Sequence, residues 1–314
     1  MKLPAGTAAV LNKLGQFGRL ARESAFHPIS GVPRKPILPA SPDDLGVTFI
    51  GHSSFLLHIG GHNLLIDPVF TSRLVLLRRL RHPGVLVRDL PRIDLVLLTH
   101  AHMDHLNRSS LRMVLRNERE RHGHAPVAVV PVGVDDLVND LGFARVETME
   151  LWQTKTLAGL EITRTPSKHW GARFFRDTDR GFGGYVLRNE AHSLYHSGDT
   201  AYFHGFAEIG RRLAPKIALL PIGAYHPESF RTVHTSPEDA LQGFIDLGSR
   251  WMIPMHYGTF RLSREPMDEP PRRLREAAAR AGLRDSIRIL AEGETALFPP
   301  EASSRQATAG VVTH

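Results

Sequence analysis

Thr99-His100-Ala101-His102-Met103-Asp104-His105-Leu106 decides how this chain is read. The stretch Leu95–Thr99, apolar up to its last residue, reads as a strand, and the His/Asp string is the loop that leaves it. His100, His102, Asp104 and His105 stand at i, i+2, i+4 and i+5, so four metal-capable side chains converge from one backbone segment. A sharp turn lets His100 and His102 face one ion while Asp104 and His105 face a second. Neutral imidazole and carboxylate suit borderline divalent ions, zinc first, with manganese or iron(II) also compatible. A site at the C-terminal end of a buried strand is where α/β sheets carry their ligands. A surface cluster from composition alone is the bland alternative.

Composition narrows the chemistry further. The 314 residues include 18 His and no Cys, which excludes disulfide scaffolds, thiolate zinc sites, iron–sulfur clusters and a thiol nucleophile. Any metal is therefore held by His and carboxylates. The net charge of +7 favours anionic partners, although a merely soluble basic surface accounts for it as well. No apolar run approaches the roughly 18 residues of a membrane span. Ala8-Ala9-Val10-Leu11 is too short for a signal peptide and is cut by Asn12 and Lys13, so a cytoplasmic protein is expected.

Outward from the loop, residues 1–46 read as an N-terminal extension. Leu3, Val10, Leu11, Leu14, Phe17 and Leu20 recur at helical spacing beside Lys13, Arg19 and Arg22, ahead of a Pro-rich stretch from Pro28 to Pro42. The pattern suits a basic amphipathic helix, either touching a membrane surface or packing on its own domain. From Val47 short strands follow: Val47–Ile50, Ser54–Ile59 and Asn63–Ile66, then Leu95–Thr99. A helix is expected from Ser109 to about Arg121, capped by Ser109 or Ser110. Strands are expected at Val127–Val130, Arg145–Met149, Thr154–Leu157, Leu160–Thr165, Gly184–Leu187, Ser193–His196, Ile217–Leu220, Trp251–Met255 and Ile287–Leu290. Helices are expected at Val134–Leu141, Pro237–Leu247 and Pro271–Ala281, the last stopped by Gly282. Residues 301–314 read as a polar tail.

The string H-A-H-M-D-H resembles the HxHxDH signature of the metallo-β-lactamase fold. That likeness implies an α/β fold, an αββα sandwich of two β-sheets between helices, with two metals at one edge. It also implies further ligands. In Ser167-Lys168-His169-Trp170 the His is similar to the third histidine of the first metal. In Ser197-Gly198-Asp199-Thr200 the Asp is similar to the carboxylate that bridges both ions, and in Met255-His256-Tyr257-Gly258-Thr259 the His is similar to the last ligand of the second. Side chains from residues 100 to 256 that meet around metals about 3.5–4 Å apart belong to one domain, read as residues 47–300.

A narrower likeness covers that same span. Gly51-His52-Ser53-Ser54, Leu65-Ile66-Asp67-Pro68, Pro166-Ser167-Lys168-His169-Trp170, Leu219-Leu220-Pro221-Ile222-Gly223-Ala224-Tyr225, His234-Thr235-Ser236-Pro237-Glu238-Asp239-Ala240 and His256-Tyr257-Gly258-Thr259-Phe260 resemble blocks of the N-acylphosphatidylethanolamine-hydrolysing phospholipase D group. Two departures stand near the site mouth: Asn107 replaces the acid of the animal lipases, and the stretch between Phe70 and Pro91 is shorter.

The resemblance implies a dinuclear hydrolase that attacks a phosphodiester with a metal-bridging hydroxide. Asp199 then fixes the metal spacing, and His234 binds phosphate or protonates the leaving alkoxide. His52 and Asp67 are expected to orient ligands from behind. Arg173 and Tyr225 read first as surface or core residues, with phosphate contact the lesser option. The run Arg73–Arg81, with Leu74, Val75, Leu76 and Leu77 among its arginines, is either a lip that meets anionic lipid or a loop packing its leucines inward. A lactonase or other ester hydrolase is the rival within the same chemistry, and a nuclease the second. No separate RNA-binding arm is seen, so nucleic acid is not expected; the expected partner is a small-molecule or phospholipid substrate, with peripheral membrane contact and an oligomer both open. A metal-bound interaction module needs a broken ligand set, and none of the seven positions is broken.

Overall fold

The structure is a computed structural model that describes residues 18–20, 22–25, 27–173, 177 and 179–300. Most of the expected amphipathic helix and all of the polar tail lie outside the described residues. Among them the chain forms β1 (Leu45–Gly51), β2 (Ser54–Ile59), β3 (His62–Ile66), β4 (Arg73–Leu74), β5 (Leu77–Arg78), β6 (Leu95–Leu97), β7 (Val127–Pro131) and β8 (Arg145–Met149). There follow β9 (Thr154–Leu157), β10 (Leu160–Thr165), β11 (Gly184–Arg188), β12 (Ser193–His196), β13 (Ile217–Pro221), β14 (Trp251–Met255) and β15 (Thr295–Phe298). They build a seven-stranded sheet in the order β15-β1-β2-β3-β6-β7-β8, a six-stranded sheet in the order β14-β13-β12-β11-β10-β9, and the small β4-β5 ribbon.

The period-2 geometry of a strand explains the layering. In β3, Leu64 and Ile66 point into the space between the sheets while Leu65 points to the outer face; Leu95 and Leu97 of β6 divide from Val96 in the same way. In β13, Ile217 and Leu219 enter the shared core, and Ala218 and Leu220 meet the helices behind. Strands apolar at every position are thus buried on both faces, as parallel strands between layers must be. The helix Arg108–His122 covers the first sheet with Leu111, Val114, Leu115 and Glu118, spaced for one helical face. Gly205–Leu213, Pro237–Leu247 and Glu269–Arg280 cover the second. The result is the expected αββα sandwich.

Direction matters most for function. β3, β6, β7 and β8 run parallel, as do β12, β13 and β14. Two antiparallel steps each set β1 parallel to β3 and β10 parallel to β12. The C-terminal ends of β1, β3, β6, β10, β12 and β14 therefore open onto a single edge. The loops that carry the expected ligands all leave from there.

Several local expectations fail for physical reasons. The cap of the first helix is Asn107, whose Oδ1 accepts from the Ser110 backbone N–H at 2.9 Å; neither serine does this. Val134–Leu141 forms only a single 3-10 turn, Asp135–Leu137, hemmed between Gly133 and Gly142, both at positive φ. So short a segment cannot repay helix nucleation. Ile287–Leu290 makes just an isolated bridge, Met252↔Ile287, and the edge strand nearer the C-terminus is β15, which pairs with β1. The helix Gly205–Leu213 carries no expectation because two glycines disguise it. At Gly210 a Cβ would strike the Leu247 carbonyl oxygen, so the glycine is there for close packing.

The run Arg73–Arg81 packs only some of its apolar residues inward. Leu74 and Leu77 pack inward with Leu20, Val69 and Phe260, whereas Val75 and Leu76 at the ribbon tip are 63% and 58% exposed.

Candidate metal centre

The metal loop is a tightly bonded turn. After β6, the Thr99 N–H donates to Asp67 Oδ1 at 2.8 Å, and Leu106 N–H closes the turn onto the His102 carbonyl at 2.8 Å. Arg173 donates from one guanidinium nitrogen to the carbonyls of Ala101 and Leu106, bracing both ends of the loop. Its task here is structural. Tyr225 lies away from the centre, its hydroxyl donating to Glu269 at 2.7 Å.

The first donor set is His100, His102, His169 and Asp199. His100 Nε2 lies 2.9 Å from His102 Nδ1, which lies 3.2 Å from His169 Nε2. Their other nitrogens show which carry protons. The Val233 carbonyl can only accept, so His169 Nδ1 donates to it at 2.9 Å and its Nε2 presents a bare lone pair. Thr99 Oγ1 donates to Asp67 Oδ2 at 2.6 Å and so accepts from His100 Nδ1 at 2.9 Å, which leaves His100 Nε2 equally bare. Lone pairs this close repel unless a cation sits among them. Zinc with Zn–N bonds of about 2.0–2.1 Å sets tetrahedral nitrogens about 3.3 Å apart, so the set fits such an ion.

The second set is His52, Asp104, His105 and His256, and Asp199 faces it too, with Oδ2 at 3.2 Å from His105 Nε2 and 3.0 Å from His256 Nε2. His105 Nδ1 donates to Asp67 Oδ2 at 2.7 Å, turning Nε2 toward the centre. Asp67 thus orients a ligand of each set, His105 directly and His100 through Thr99. His52 Nε2 lies 3.1 Å from Asp104 Oδ2. The backbone at His52, Asp67 and His256 holds φ of 60°, 44° and 61°. Left-handed conformations cost non-glycine residues about 1 kcal/mol or more, and they gather at functional sites.

Buried polar atoms that make no well-formed hydrogen bond among the described residues mark the same spot: His105 Nε2, His256 Nε2, Asp199 Oδ1 and His234 Nδ1. Electrostatics sharpen the picture. Burial, then the neighbouring imidazoles, hold His100 well below the ordinary range, and burial chiefly does the same to His169. Burial pushes His52 down to about 4. At His105 and His256 burial also acts downward, but the carboxylates, Asp199 first, outweigh it; His105 is raised well above its usual range and His256 to about 9. Against their own burial, Asp104 and Asp199 are held well below the usual carboxylate range by those imidazoles. Two ionised carboxylates beside the neutral imidazoles of His100, His102 and His169 form a donor set for a divalent cation, and His105 and His256 would join it by giving up the proton that the carboxylates favour.

His234 joins Asp199 and His256 in a third grouping, its Nε2 3.6 Å from Asp199 Oδ2. Trp170, 43% exposed, stacks on His169 at 4.4 Å between ring centroids and meets His102 edge-on. The seven expected ligands, with His52, Asp67 and His234, therefore meet at one edge, while Arg173 braces the loop and Tyr225 stands apart. Thr99 and Trp170 were not among them, and only the two glimpsed neighbours, a hydroxyl before His100 and an indole after His169, hint at either.

Comparison with known proteins agrees with this geometry. A family model described as "Beta-lactamase superfamily domain" matches residues 62–257. A UPF0173 metal-dependent hydrolase of Methanopyrus kandleri is 31% identical over 253 residues, covering 79% of this chain and 98% of the relative. The mitochondrial N-acyl-phosphatidylethanolamine-hydrolyzing phospholipase D of Saccharomyces cerevisiae is 29% identical over 265 residues, 80% of this chain but 55% of that protein. Among solved structures, a metallo hydrolase from Ignicoccus hospitalis superposes with a TM-score of 0.63 at 27% identity, covering 81% of this chain and 98% of that one.

Proposed function

The chain belongs to the β-lactamase superfamily and is a metal-dependent hydrolase, and from that premise we propose that it cleaves a phosphodiester, with an N-acylphosphatidylethanolamine-type phospholipid as the substrate class. The observation that carries the reading is Asp199, whose one carboxylate faces both donor sets while His234 Nε2 stands 3.6 Å from it. The likeness to the yeast phospholipase D supports the lipid class. Divalent ions held here, zinc first, would supply a water activated for attack at neutral pH and would offset charge on phosphoryl oxygens.

The chain's own side chains supply the rest. His100, His102, His169 and Asp199 would hold the first ion, and Asp104, His105, His256 and Asp199 the second. Asp67 and Thr99 fix the imidazole tautomers, and His52 donates to Asp104. His234 delivers a proton from Nε2 to the leaving oxygen. Trp170 walls the opening and keeps water off one side.

Contact with a lipid surface belongs to the same proposal. Val75 and Leu76 project from the β4-β5 ribbon beside the exposed Arg73, and the ribbon roots next to the centre through the bridge Arg79↔Phe260. An apolar tip with a flanking cation suits an anionic interface.

The test is a head-to-head assay of metal-loaded protein on N-acylphosphatidylethanolamine, bis-(p-nitrophenyl) phosphate and a homoserine lactone. The proposal expects the phospholipid to be turned over fastest and chelation to abolish turnover. Preference for the lactone, or activity that survives complete removal of metal, sinks it.

A further inference from the structure

β12 ends in a fully buried histidine, His196, that belongs to neither donor set. By the period-2 geometry of a strand it faces the same way as Leu194, into the core between the two sheets. Its ring meets that of Phe55 edge-on, with 5.8 Å between centroids. A polar ring buried among apolar side chains costs free energy unless its nitrogens are partnered, and both are. The Ser53 carbonyl can only accept, so Nε2 carries the proton and donates to it at 3.1 Å. Nδ1 then holds the lone pair and accepts from the Gly198 N–H at 3.1 Å. Burial, above all, holds this imidazole below its ordinary pKa, in keeping with the neutral form that the two bonds require.

The two partners belong to different layers. Gly198 stands in the turn that leaves β12, one residue before Asp199, and Ser53 stands in the turn between β1 and β2, one residue after His52. At Gly198 φ is 61°, and a Cβ would come within 2.9 Å of the Gly183 carbonyl oxygen, so the turn that carries Asp199 is closely packed. The turn around Ser53 is a junction. The His52 carbonyl accepts from the His256 N–H at 2.8 Å, and Ser54 Oγ donates to the Asp67 carbonyl at 2.6 Å. His196 ties the Asp199 turn to that junction. A carboxylate that serves both donor sets must be placed against ligands from both sheets, and its Oδ2 stands 3.2 Å from His105 Nε2 and 3.0 Å from His256 Nε2.

We infer that His196 is a positioning residue for the metal centre: bonded to Gly198 on one side and to Ser53 on the other, it fixes the Asp199 carboxylate against the ligands carried by the opposite sheet. The inference rests on the reading of that cluster as a metal site. Three variants take the link apart. Glutamine offers an amide oxygen and an N–H₂ about as far apart as the two ring nitrogens, so His196→Gln can keep both bonds. His196→Phe keeps the shape and loses both, and His196→Asn keeps an acceptor for Gly198 but falls short of Ser53.

The experiment is titration of the full chain, stripped of metal, with zinc in competition with a chelator of known strength, repeated with cobalt(II) to follow the visible absorption of the site. His196→Phe and His196→Asn are each expected to weaken zinc binding about tenfold or more and to alter the cobalt(II) spectrum, while His196→Gln stays within about threefold of the unsubstituted chain. Leu194→Ala opens a cavity in the same strand and separates positioning from mere loosening: it is expected to lower the thermal midpoint and leave zinc affinity unchanged. If His196→Phe fails to fold, His196→Asn decides the matter. Unaltered zinc affinity and cobalt(II) spectrum in His196→Asn, a glutamine variant no better than the phenylalanine one, or an equal loss of affinity in Leu194→Ala overturns the inference. An unsubstituted chain that binds neither metal overturns the metal-site reading itself, and the inference with it.

Discussion

Asp67 accepts a hydrogen bond from His105 at 2.7 Å, and the same oxygen accepts from Thr99 at 2.6 Å. One fully buried carboxylate thereby sets the tautomers of His105 and, through the threonine hydroxyl, of His100. In Asp67→Asn an amide must face these donors, and its N–H₂ cannot accept. We expect metal affinity to fall about 10–100-fold, measured by competition with a chelator of known strength. Unchanged affinity would show that Asp67 serves the turn alone.

Asp199→Asn removes the carboxylate that faces both donor sets. The expected result is fewer than two ions per chain by elemental analysis and turnover below detection, with the far-ultraviolet circular dichroism of the fold retained. Two tightly held ions in this variant would contradict the shared role.

His234→Asn separates proton delivery from metal holding. If His234 acts on the leaving oxygen, kcat drops by about 10²–10⁴ while metal content stays at the wild-type level. Loss of an ion together with activity would instead make His234 a ligand, as its grouping with Asp199 and His256 permits.

Asn107 caps the helix behind the metal loop and also donates to the Met103 carbonyl at 3.3 Å. Asn107→Ala is expected to cost about 1 kcal/mol of stability in chemical denaturation, whereas Asn107→Asp keeps the cap within a few tenths. Equal losses in both variants would point to the side-chain amide rather than the cap.

Glu118 is buried with one oxygen accepting from the Ile93 N–H at 3.1 Å and the other without a partner. Burial raises its pKa above the ordinary carboxylate range. The folded state therefore binds its proton more tightly than the unfolded chain does, and its contribution to stability is lost as pH climbs through the raised value. Glutamine keeps the acceptor and has no charge to bury. Glu118→Gln is expected to raise the thermal midpoint at pH 8 by roughly 2 °C, with the gap closing near pH 4. A gap that widens on acidification would reverse the assignment.

The parts of the site legible in the sequence are those carried on one segment or pinned to a strand end. His100 to His105 announce themselves by spacing, and His169, Asp199 and His256 by their likeness to the later ligands of the metallo-β-lactamase fold, each just after a strand. What stayed hidden depends on partners far apart in the chain. The part played by Thr99 exists only because Asp67 arrives from β3, and Arg173 matters through two carbonyls of a loop about seventy residues earlier. The edge strand β15 reaches back to pair Thr295 with Thr48, a register that no local pattern encodes. The helix at Gly205–Leu213 went unread because Gly210 is chosen for its packing against Leu247 and not for its propensity.

The single edge onto which the strands open has a mechanical consequence. His52, Asp67 and the His100–His105 loop belong to one sheet, while His169, Asp199 and His256 belong to the other. Cations bound at this seam would rivet the two halves of the sandwich together, and pulling them out would leave imidazoles and carboxylates pressed against one another across the joint. Occupancy then doubles as a clasp. Because ions that bind only the folded chain stabilise it by RT ln(1 + [L]/Kd), we expect the unfolding temperature to climb with free zinc and hydrogen exchange to quicken along this rim first when the metal is withdrawn.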